Sequence, residues 1–249
     1  MAYTPVTRLH VEEDLSAGAE IALDDGQTHY LKNVLRLGPG DRVALFNARD
    51  GEWWGEVASL GKKAGAVRLA ERRRAPKPES DLWLVFAPVK RARIDYLVEK
   101  ATELGVSEIR PVFTARTNVE RVNLDRLRAN AREAAEQSER LSLPEIHPPR
   151  ELSRLLADWP PDRTLVLCDE TGTAAPILDA VAARKSAAWA VLIGPEGGFA
   201  DMELDALRRL PFVCAVGLGP RVLRADTAAI AALALLQACI GDWRAGRGA

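Results

Sequence analysis

Two glycine-rich segments in the C-terminal half of the chain have residue types that can bind a ligand and act on it. Residues 193–199 read Ile-Gly-Pro-Glu-Gly-Gly-Phe, and residues 218–228 read Leu-Gly-Pro-Arg-Val-Leu-Arg-Ala-Asp-Thr-Ala. In each segment an apolar stretch leads into a turn and then into the start of a helix. Because glycine has no side chain, a ligand can approach the main chain of such turns closely. We therefore expect the two turns to line one pocket.

The spacing of these glycines indicates which ligands the pocket suits. It fits neither the dinucleotide fingerprint GxGxxG nor the phosphate loop GxxxxGK[ST]. Main-chain donors and acceptors with few cations suit a cofactor that contains adenosine but no phosphate. S-adenosylmethionine is such a molecule. Either turn taken alone could also be an ordinary connection from a strand to a helix, where glycine is common.

The elements around the two turns predict an α/β domain with a parallel sheet, because apolar runs typical of buried strands alternate with helical periodicity. Strands are expected at residues 82–87, 109–113, 164–168, 190–193 and 212–216, and helices at 90–104, 123–139, 176–184, 202–209 and 226–240. Asn123 and Asp226 are the expected N-caps of their helices, and Gly105 is expected to end one. Ligands bind at the carboxyl ends of the strands in such sheets, which is where both glycine turns would lie.

The first 72 residues have a different pattern, which predicts a small β-barrel. Strands are expected at residues 41–47, 52–58 and 66–69, with a short amphipathic helix at 29–37. Asp50-Gly51 is typical of a hairpin turn. The run Arg72–Pro78 contains two prolines and is interpreted as extended. We therefore expect a barrel at 1–72, a linker at 73–80 and the α/β domain at 81–249.

Charge is distributed unevenly along the chain. The net charge of −1 argues against a general polyanion binder, but residues 27–78 contain eleven Lys or Arg against five acidic residues. Such a segment can hold phosphates, or it can simply be a solvated face. Trp53 and Trp54 could stack on RNA bases, although alternation along a strand would place at least one of them in the barrel core.

The remaining composition predicts a cytoplasmic protein without a metal centre. Three cysteines lie in apolar runs, the three histidines are far apart in sequence, and neither set has metal-ligand spacing. The N-terminus has no signal-peptide pattern, and the longest apolar run, residues 228–236, is too short to cross a bilayer. We expect no membrane partner.

Five ordered motifs resemble the bacterial 16S ribosomal RNA uridine-N3 methyltransferase family of the SPOUT superfamily. They are the HxLxxVLRLxxGD pattern at residues 29–41, KATELGV at 100–106, EQSxR at 136–140, and the two glycine segments. Two positions depart from the family pattern. Asp226 stands where the family more often has Glu, and Glu139 stands where a small residue is usual and adds a carboxylate to a presumed RNA surface.

The resemblance implies a fold and partners that the residue pattern could not supply. It implies a PUA-like RNA-binding barrel, a SPOUT domain with a deep trefoil knot, and a homodimer. It implies S-adenosylmethionine-dependent methylation of N3 of a uridine in 16S ribosomal RNA, free or within the small ribosomal subunit. A SPOUT enzyme acting on another RNA, such as tRNA ribose, or a non-catalytic RNA-binding protein remains the alternative.

The expected site residues follow from the strand-end loops and the matched motifs. For catalysis they are Arg224, Arg221 and Glu196, with Arg116, Arg140, Glu136 and Asp226 as further candidates. Arginine stays charged and its planar fork suits a pyrimidine with two carbonyl oxygens, so Arg224 is assigned to charge stabilisation or substrate positioning. Glu196 is assigned to local cofactor or base chemistry. Structural roles are open for each: Asp226 could cap its helix, Glu196 could hold its own turn, and Arg224 could pair with Asp226.

The binding residues are expected in two groups. The cofactor is expected to contact Leu167, Asp169, Gly172, Ile193, Gly194, Pro195, Glu196, Gly197, Gly198, Leu218, Gly219, Arg221, Val222 and Leu223. RNA is expected to contact Arg36, Arg72, Arg73, Arg74, Arg116, Gln137 and Arg140.

Overall fold

A computed structural model describes residues 5–89, 91–184, 186 and 188–245 of the chain. They form two compact units. The first consists of the described residues up to Pro78 together with Ala135–Leu143, and the second consists of Glu79–Ala134 and the described residues from Pro144 onward.

The first unit is built on a five-stranded sheet in the order β1-β3-β4-β5-β2. The strands are β1 Arg8–His10, β2 Glu20–Leu23, β3 Arg42–Asn47, β4 Gly51–Leu60 and β5 Gly65–Arg74. β1 and β3 are parallel, and the other neighbours are antiparallel. Alternate residues of the strands, such as Val43, Leu45, Val57 and Val67, fill the apolar core of this unit. Gly51 makes the predicted hairpin turn with a φ of +80°.

Two predictions for the first unit were wrong in their boundaries. Arg73 and Arg74 belong to the end of strand β5 rather than to the linker, because Arg72 and Arg74 pair with β4 and complete its ladder. The helix predicted at residues 29–37 is α1, Asp25–His29, followed by a π-helical turn, Tyr30–Val34. It begins earlier because the Asp24 carboxylate accepts the Gln27 N–H at 2.7 Å in a capping box.

The second unit is the predicted α/β fold, and every strand pairing in its sheet is parallel. The sheet order is β12-β10-β11-β6-β7-β8, and the short strand β9 also pairs with β7. The strands are β6 Leu82–Phe86, β7 Glu108–Phe113, β8 Glu145–Ile146, β9 Arg150–Glu151, β10 Arg163–Cys168, β11 Ala188–Ile193 and β12 Val213–Val216.

Helices cover both faces of this sheet. They are α2 Arg91–Glu103, α3 Leu124–Gln137, α4 Leu152–Ala157, α5 Ile177–Ala182, α6 Asp201–Arg208 and α7 Ala225–Cys239, and a 3₁₀ turn follows at Asp242–Ala245. Leu84 and Phe86 of β6 pack in one apolar cluster with α2, α5 and α7. Trp83 and Val85 pack in a second cluster with α4 and α6. Strands buried on both faces explain the continuous apolar runs in the sequence.

The helix ends mostly follow the predicted signals. Asn123 caps α3 by accepting the Arg126 N–H at 3.1 Å, and Gly105 follows α2 with a φ of +78°. Asp226 is not the N-cap of α7, because the helix begins one residue earlier and Arg224 takes the cap position. Lys90, where the first of these helices was expected to begin, lies outside the described residues. None of the helices in the described part of the chain is long and apolar enough to cross a membrane.

Candidate functional site

The loops after β10, β11 and β12 lie at one edge of the sheet, because parallel neighbours place their carboxyl ends together. The Gly217 N–H donates to Ala175 O at 2.8 Å, and the Ile177 N–H donates to Gly217 O at 3.2 Å. The Glu170 carboxylate fills the space where a side chain on Gly198 would begin. The loop after β10 therefore contacts both the loop after β11 and the start of the loop after β12.

The glycines of these loops fall into two groups. Gly172 and Gly219 have positive φ angles of 77° and 101°, and nothing lies within 4 Å of the position a Cβ would take. A Cβ on Gly197 would meet only Arg116 Cδ, at 4.0 Å. A Cβ on Gly194, in contrast, would strike the Phe199 ring. Gly172, Gly197 and Gly219 thus leave open space beside the main chain, as a bound ligand requires.

Asp169 follows β10 and is buried. Arg208 of α6 donates to its carboxylate through Nε at 3.1 Å and also through Nη2, and the Thr171 N–H donates at 2.9 Å. Burial alone would raise the pKa of Asp169, but the hydrogen bonds from Arg208 and Thr171 hold it below the usual value. The carboxylate is therefore engaged in shaping the loop, and Arg208 is a site residue that the sequence analysis missed.

Two further arginines reach the turn at 194–198. Arg93 Nη1 lies 3.0 Å from Glu196 Oε1, and Arg116 Nη1 donates to Gly197 O at 3.0 Å. Arg116 was expected to contact RNA. Arg93 was missed, although α2 follows a strand whose carboxyl end lies at this same edge, which is a signal that could have found it.

Arg221 and Arg224 are exposed, and neither side chain makes a hydrogen bond or ion pair with a residue that the structure describes. The alternative that Arg224 pairs with Asp226 is not observed, since the Asp226 carboxylate accepts the Thr227 N–H at 3.0 Å. Val222, between them, is 78% exposed. The second glycine segment thus presents two unengaged cations at the carboxyl edge of the sheet.

The expected RNA-binding residues of the first unit differ in their availability. Arg36, Arg72 and Gln137 are exposed. Arg73 is the extra residue of a β-bulge, and its guanidinium lies 4.3 Å from the centroid of the Trp54 ring. Arg74 is bound to Glu52, and Arg140 is only 9% exposed. Trp53 packs against the core, as expected for one of the two tryptophans.

Two other features of the second unit lie away from the glycine turns. A cavity of about 380 Å³ is lined by Arg163, Thr164 and Arg184 among others, at the amino ends of β10 and β12. Glu108, Glu145 and His147 bring possible metal-ligand atoms within 4.8 Å of one another. However, Arg110 Nε already donates to Glu108 at 2.7 Å and supplies positive charge there.

Comparisons with known proteins show which family the chain resembles. A family model described as an RNA methyltransferase domain matches residues 76–237, and one described as an RNA methyltransferase PUA domain matches residues 23–69. Proteins named ribosomal RNA small subunit methyltransferase E are similar along most of their length. The one from Rickettsia conorii is 34% identical over 92% of this chain and 94% of its own. The one from Synechocystis is 31% identical over 96% of this chain and 78% of its own.

Two solved structures resemble the chain closely. Ribosomal RNA small subunit methyltransferase E from Neisseria gonorrhoeae, bound to S-adenosylmethionine, is 26% identical with a TM-score of 0.86, covering 95% of this chain and 99% of its own. A Legionella pneumophila protein in complex with the same cofactor is 29% identical with a TM-score of 0.84. The match covers 96% of this chain and 100% of the Legionella chain.

Proposed function

Because the chain belongs to the ribosomal RNA small subunit methyltransferase E family of RNA methyltransferases, we propose that it methylates N3 of one uridine in 16S ribosomal RNA. Its cofactor is S-adenosylmethionine. The observation that carries the proposal is the group of three glycine-containing loops at the carboxyl edge of a parallel sheet, with two unengaged arginines in one of them.

The residues of these loops fit the cofactor. Open space beside Gly172, Gly197 and Gly219 lets a ligand contact main-chain groups directly, as an adenosine without phosphates requires. Asp169 with Arg208, and Glu196 with Arg93, hold two of the loops in place. Main-chain groups of residues 194–198 and 218–223 would hold the cofactor, whose sulfonium makes its methyl group electrophilic.

The protein must then prepare the nucleophile. Uracil N3 carries a proton, and its loss spreads negative charge to O2 and O4. We assign the stabilisation of this charge to Arg224, with Arg221 as a second cation, because their guanidinium groups are not committed elsewhere in the described structure. Glu196 was expected to take part in local cofactor or base chemistry. Its carboxylate is engaged with Arg93, so we now assign it to holding the turn.

We further propose the finer features that the family resemblance implies. The first unit would be the PUA-like RNA-binding barrel, now including residues 135–143, and the second would contain the SPOUT trefoil knot. Two copies would form a homodimer, a proposal supported by the half-buried apolar positions Ile230 and Leu235 on α7. A ribosomal RNA substrate supports a cytoplasmic reaction. We propose no metal requirement, since the methyl group is already electrophilic.

Nucleoside mass spectrometry tests the proposed reaction. Ribosomal RNA from cells lacking the protein should have lost one 3-methyluridine from 16S RNA, and the wild-type gene should restore it. Loss of a 2′-O-methylated nucleoside instead would show that the enzyme acts on ribose. An unchanged 16S modification pattern would contradict the proposed substrate.

A further inference from the structure

The end of α3 and the turn after it, residues 135–140, are held by two arginines of the first unit's sheet. Arg8 Nη1 donates to Ala135 O at 3.0 Å and to Glu136 O at 2.9 Å, and its Nη2 donates to Arg140 O at 2.9 Å. Arg74 Nη1 donates to Glu139 O at 2.9 Å. The last carbonyls of a helix have no partner within the helix and attract cations, so these contacts satisfy groups that would otherwise need water.

One carboxylate joins the two arginines. Glu52 Oε2 accepts from Arg8 Nε at 2.6 Å and from Arg74 Nη2 at 2.6 Å. The side chains of Arg8 and Glu52 are only 14% and 9% exposed. Burial lowers the pKa of Arg8, while the Glu52 ion pair opposes that shift. Burial alone would raise the pKa of Glu52, but hydrogen bonds from Arg74 and Arg8 outweigh it and hold the pKa below its usual value.

A buried charge cluster of this kind fixes geometry more than it adds stability, because desolvation offsets much of the attraction between the charges. In this protein the charge cluster fixes the geometry of the turn at residues 135–140. Glu136 adds one hydrogen bond, because its Oε1 accepts the main-chain N–H of His10 at 3.0 Å. Glu139 takes a left-handed φ of 63°, which suits glycine better than a residue with a side chain.

The turn presents different side chains inward and outward. Arg140 is buried, whereas Gln137 and Glu139 are exposed. The Gln137 amide can both donate and accept hydrogen bonds, as contact with the edge of an unpaired base requires.

We propose that Arg8 is a positioning residue for RNA binding: through its contacts with residues 135–140 it holds Gln137 in the RNA-binding surface of the first unit. This inference rests on the proposed function. RNA is the partner that the surroundings favour, because the first unit also contains the segment matched by the RNA methyltransferase PUA domain and the basic stretch at 27–78. The surface would then combine segments that are about sixty residues or more apart in the chain.

Replacing Arg8 by lysine tests the positioning role. Lysine keeps the charge beside Glu52 but lacks the planar fork that reaches three carbonyls at once. We expect amide hydrogen exchange in residues 137–141 to accelerate and the KM for small ribosomal subunits to rise about tenfold, the scale of one lost charge-assisted hydrogen bond. The affinity for S-adenosylmethionine should not change. Arg150→Lys, an exposed arginine paired with Asp158 in the second unit, is the matched control.

Two additional variants separate the possible failures. Gln137→Ala should raise the same KM without accelerating exchange in the turn, since the contacts of Arg8 remain. Unchanged exchange in Arg8→Lys, or faster exchange with an unchanged KM, would overturn the inference. Arg72→Glu tests the proposed function itself. If Arg72→Glu raises the KM while Arg8→Lys and Gln137→Ala do not, the first unit still binds RNA and only the proposed role of residues 135–140 is overturned. If none of the three raises the KM, the first unit does not bind the substrate.

Discussion

Gly197 and Gly198 are neighbours in the chain, but the backbone conformation favours glycine only at Gly198. Gly198 has a φ of +67°, and Glu170 occupies the space where a side chain would begin, so the fold itself needs glycine there. Gly197 has no such backbone requirement and faces open space. At the residue scale, Gly197 is therefore the position where a side chain tests ligand binding without disturbing the fold.

Gly197→Val should weaken S-adenosylmethionine binding by about tenfold or more while leaving the thermal unfolding temperature nearly unchanged. The added methyl groups would occupy the space that the ligand needs. Isothermal titration calorimetry measures the affinity. Gly38→Val, another glycine with open space and without positive φ, is the control. Unchanged binding in Gly197→Val would place the cofactor elsewhere.

Arg224→Ala should lower turnover by about a hundredfold, the scale of removing one charge-stabilising donor in a transition state, with little change in cofactor affinity. Higher pH should restore part of the rate, because hydroxide removes the uracil N3 proton without assistance. Single-turnover methylation across a pH series measures both effects. Arg209→Ala, an exposed arginine after α6, is the control. If turnover is normal, or falls only with dimer dissociation seen by light scattering, the assignment passes to Arg221.

At the scale of elements, ion pairs formed by buried carboxylates join segments that are distant in sequence. Asp169 with Arg208 ties the loop after β10 to α6. Glu52 with Arg8 and Arg74 joins β4, β1 and β5 and holds the end of α3. A similar tie is made by Gln237 of α7, which is fully buried and donates to Leu104 O at 2.7 Å. In each case a polar side chain satisfies main-chain or charged groups that packing alone would leave without partners.

Glu52→Gln should destabilise the first unit by about 3 kcal/mol at neutral pH, because two arginines lose their shared carboxylate. The folded-state pKa of Glu52 lies below its usual value, so its contribution is fully present above that usual value and is lost as pH falls through the lowered pKa. The stability difference between wild type and variant should therefore shrink as the pH falls below the ordinary glutamate value of 4.5.

Urea unfolding at a series of pH values checks this expectation. Glu56→Gln on the same strand is the control. The Glu56 side chain is 57% exposed, and its Oε1 lies 3.7 Å from Arg42 Nε, so it forms an exposed ion pair. A difference between wild type and Glu52→Gln that stays constant down to strongly acidic pH would contradict a charged Glu52 in the folded protein.

For the whole molecule, we propose that the first compact unit binds RNA and the second binds the cofactor. The second unit has the glycine loops, and the first has the basic stretch and the residues of the turn after α3. A net charge of −1 leaves no general attraction to RNA, so binding must depend on where the cations are placed. Of the three arginines at 72–74, Arg72 is the one whose side chain makes no ion pair or ring contact with a described residue, and it is exposed.

Arg72→Glu should weaken RNA binding most at low salt and lower the slope of log affinity against log salt by about one, because one phosphate contact is lost. Cofactor affinity should stay unchanged. Fluorescence anisotropy with a 16S RNA fragment at several salt concentrations measures the slope. Arg154→Glu, an exposed arginine of α4, makes the same charge change in the second unit. Equal effects of the two variants would indicate general electrostatics rather than a surface on the first unit.

The sequence by itself determined the order of the main strands and helices in both units, and it located the two glycine turns. These features are local: periodic apolar residues, a hairpin glycine at Gly51 and a cap at Asn123 act within a few residues of themselves. The short strands β1, β2, β8 and β9 and helix α4 went unpredicted, because two to six residues carry too little periodicity to be distinguished from a loop.

The tertiary structure alone decided which distant side chains meet. Arg93 reaches Glu196, Arg208 reaches Asp169, and Arg8 reaches a turn about 130 residues later, although no spacing rule connects them. It also decided that residues 135–143 fold with the first unit and that Arg72–Arg74 continue a strand. The physical reason is that an arginine in a sequence indicates only a charge. Where folding buries the charge, as it does for Arg8, the folded chain must also supply a counterion or a carbonyl within hydrogen-bond distance.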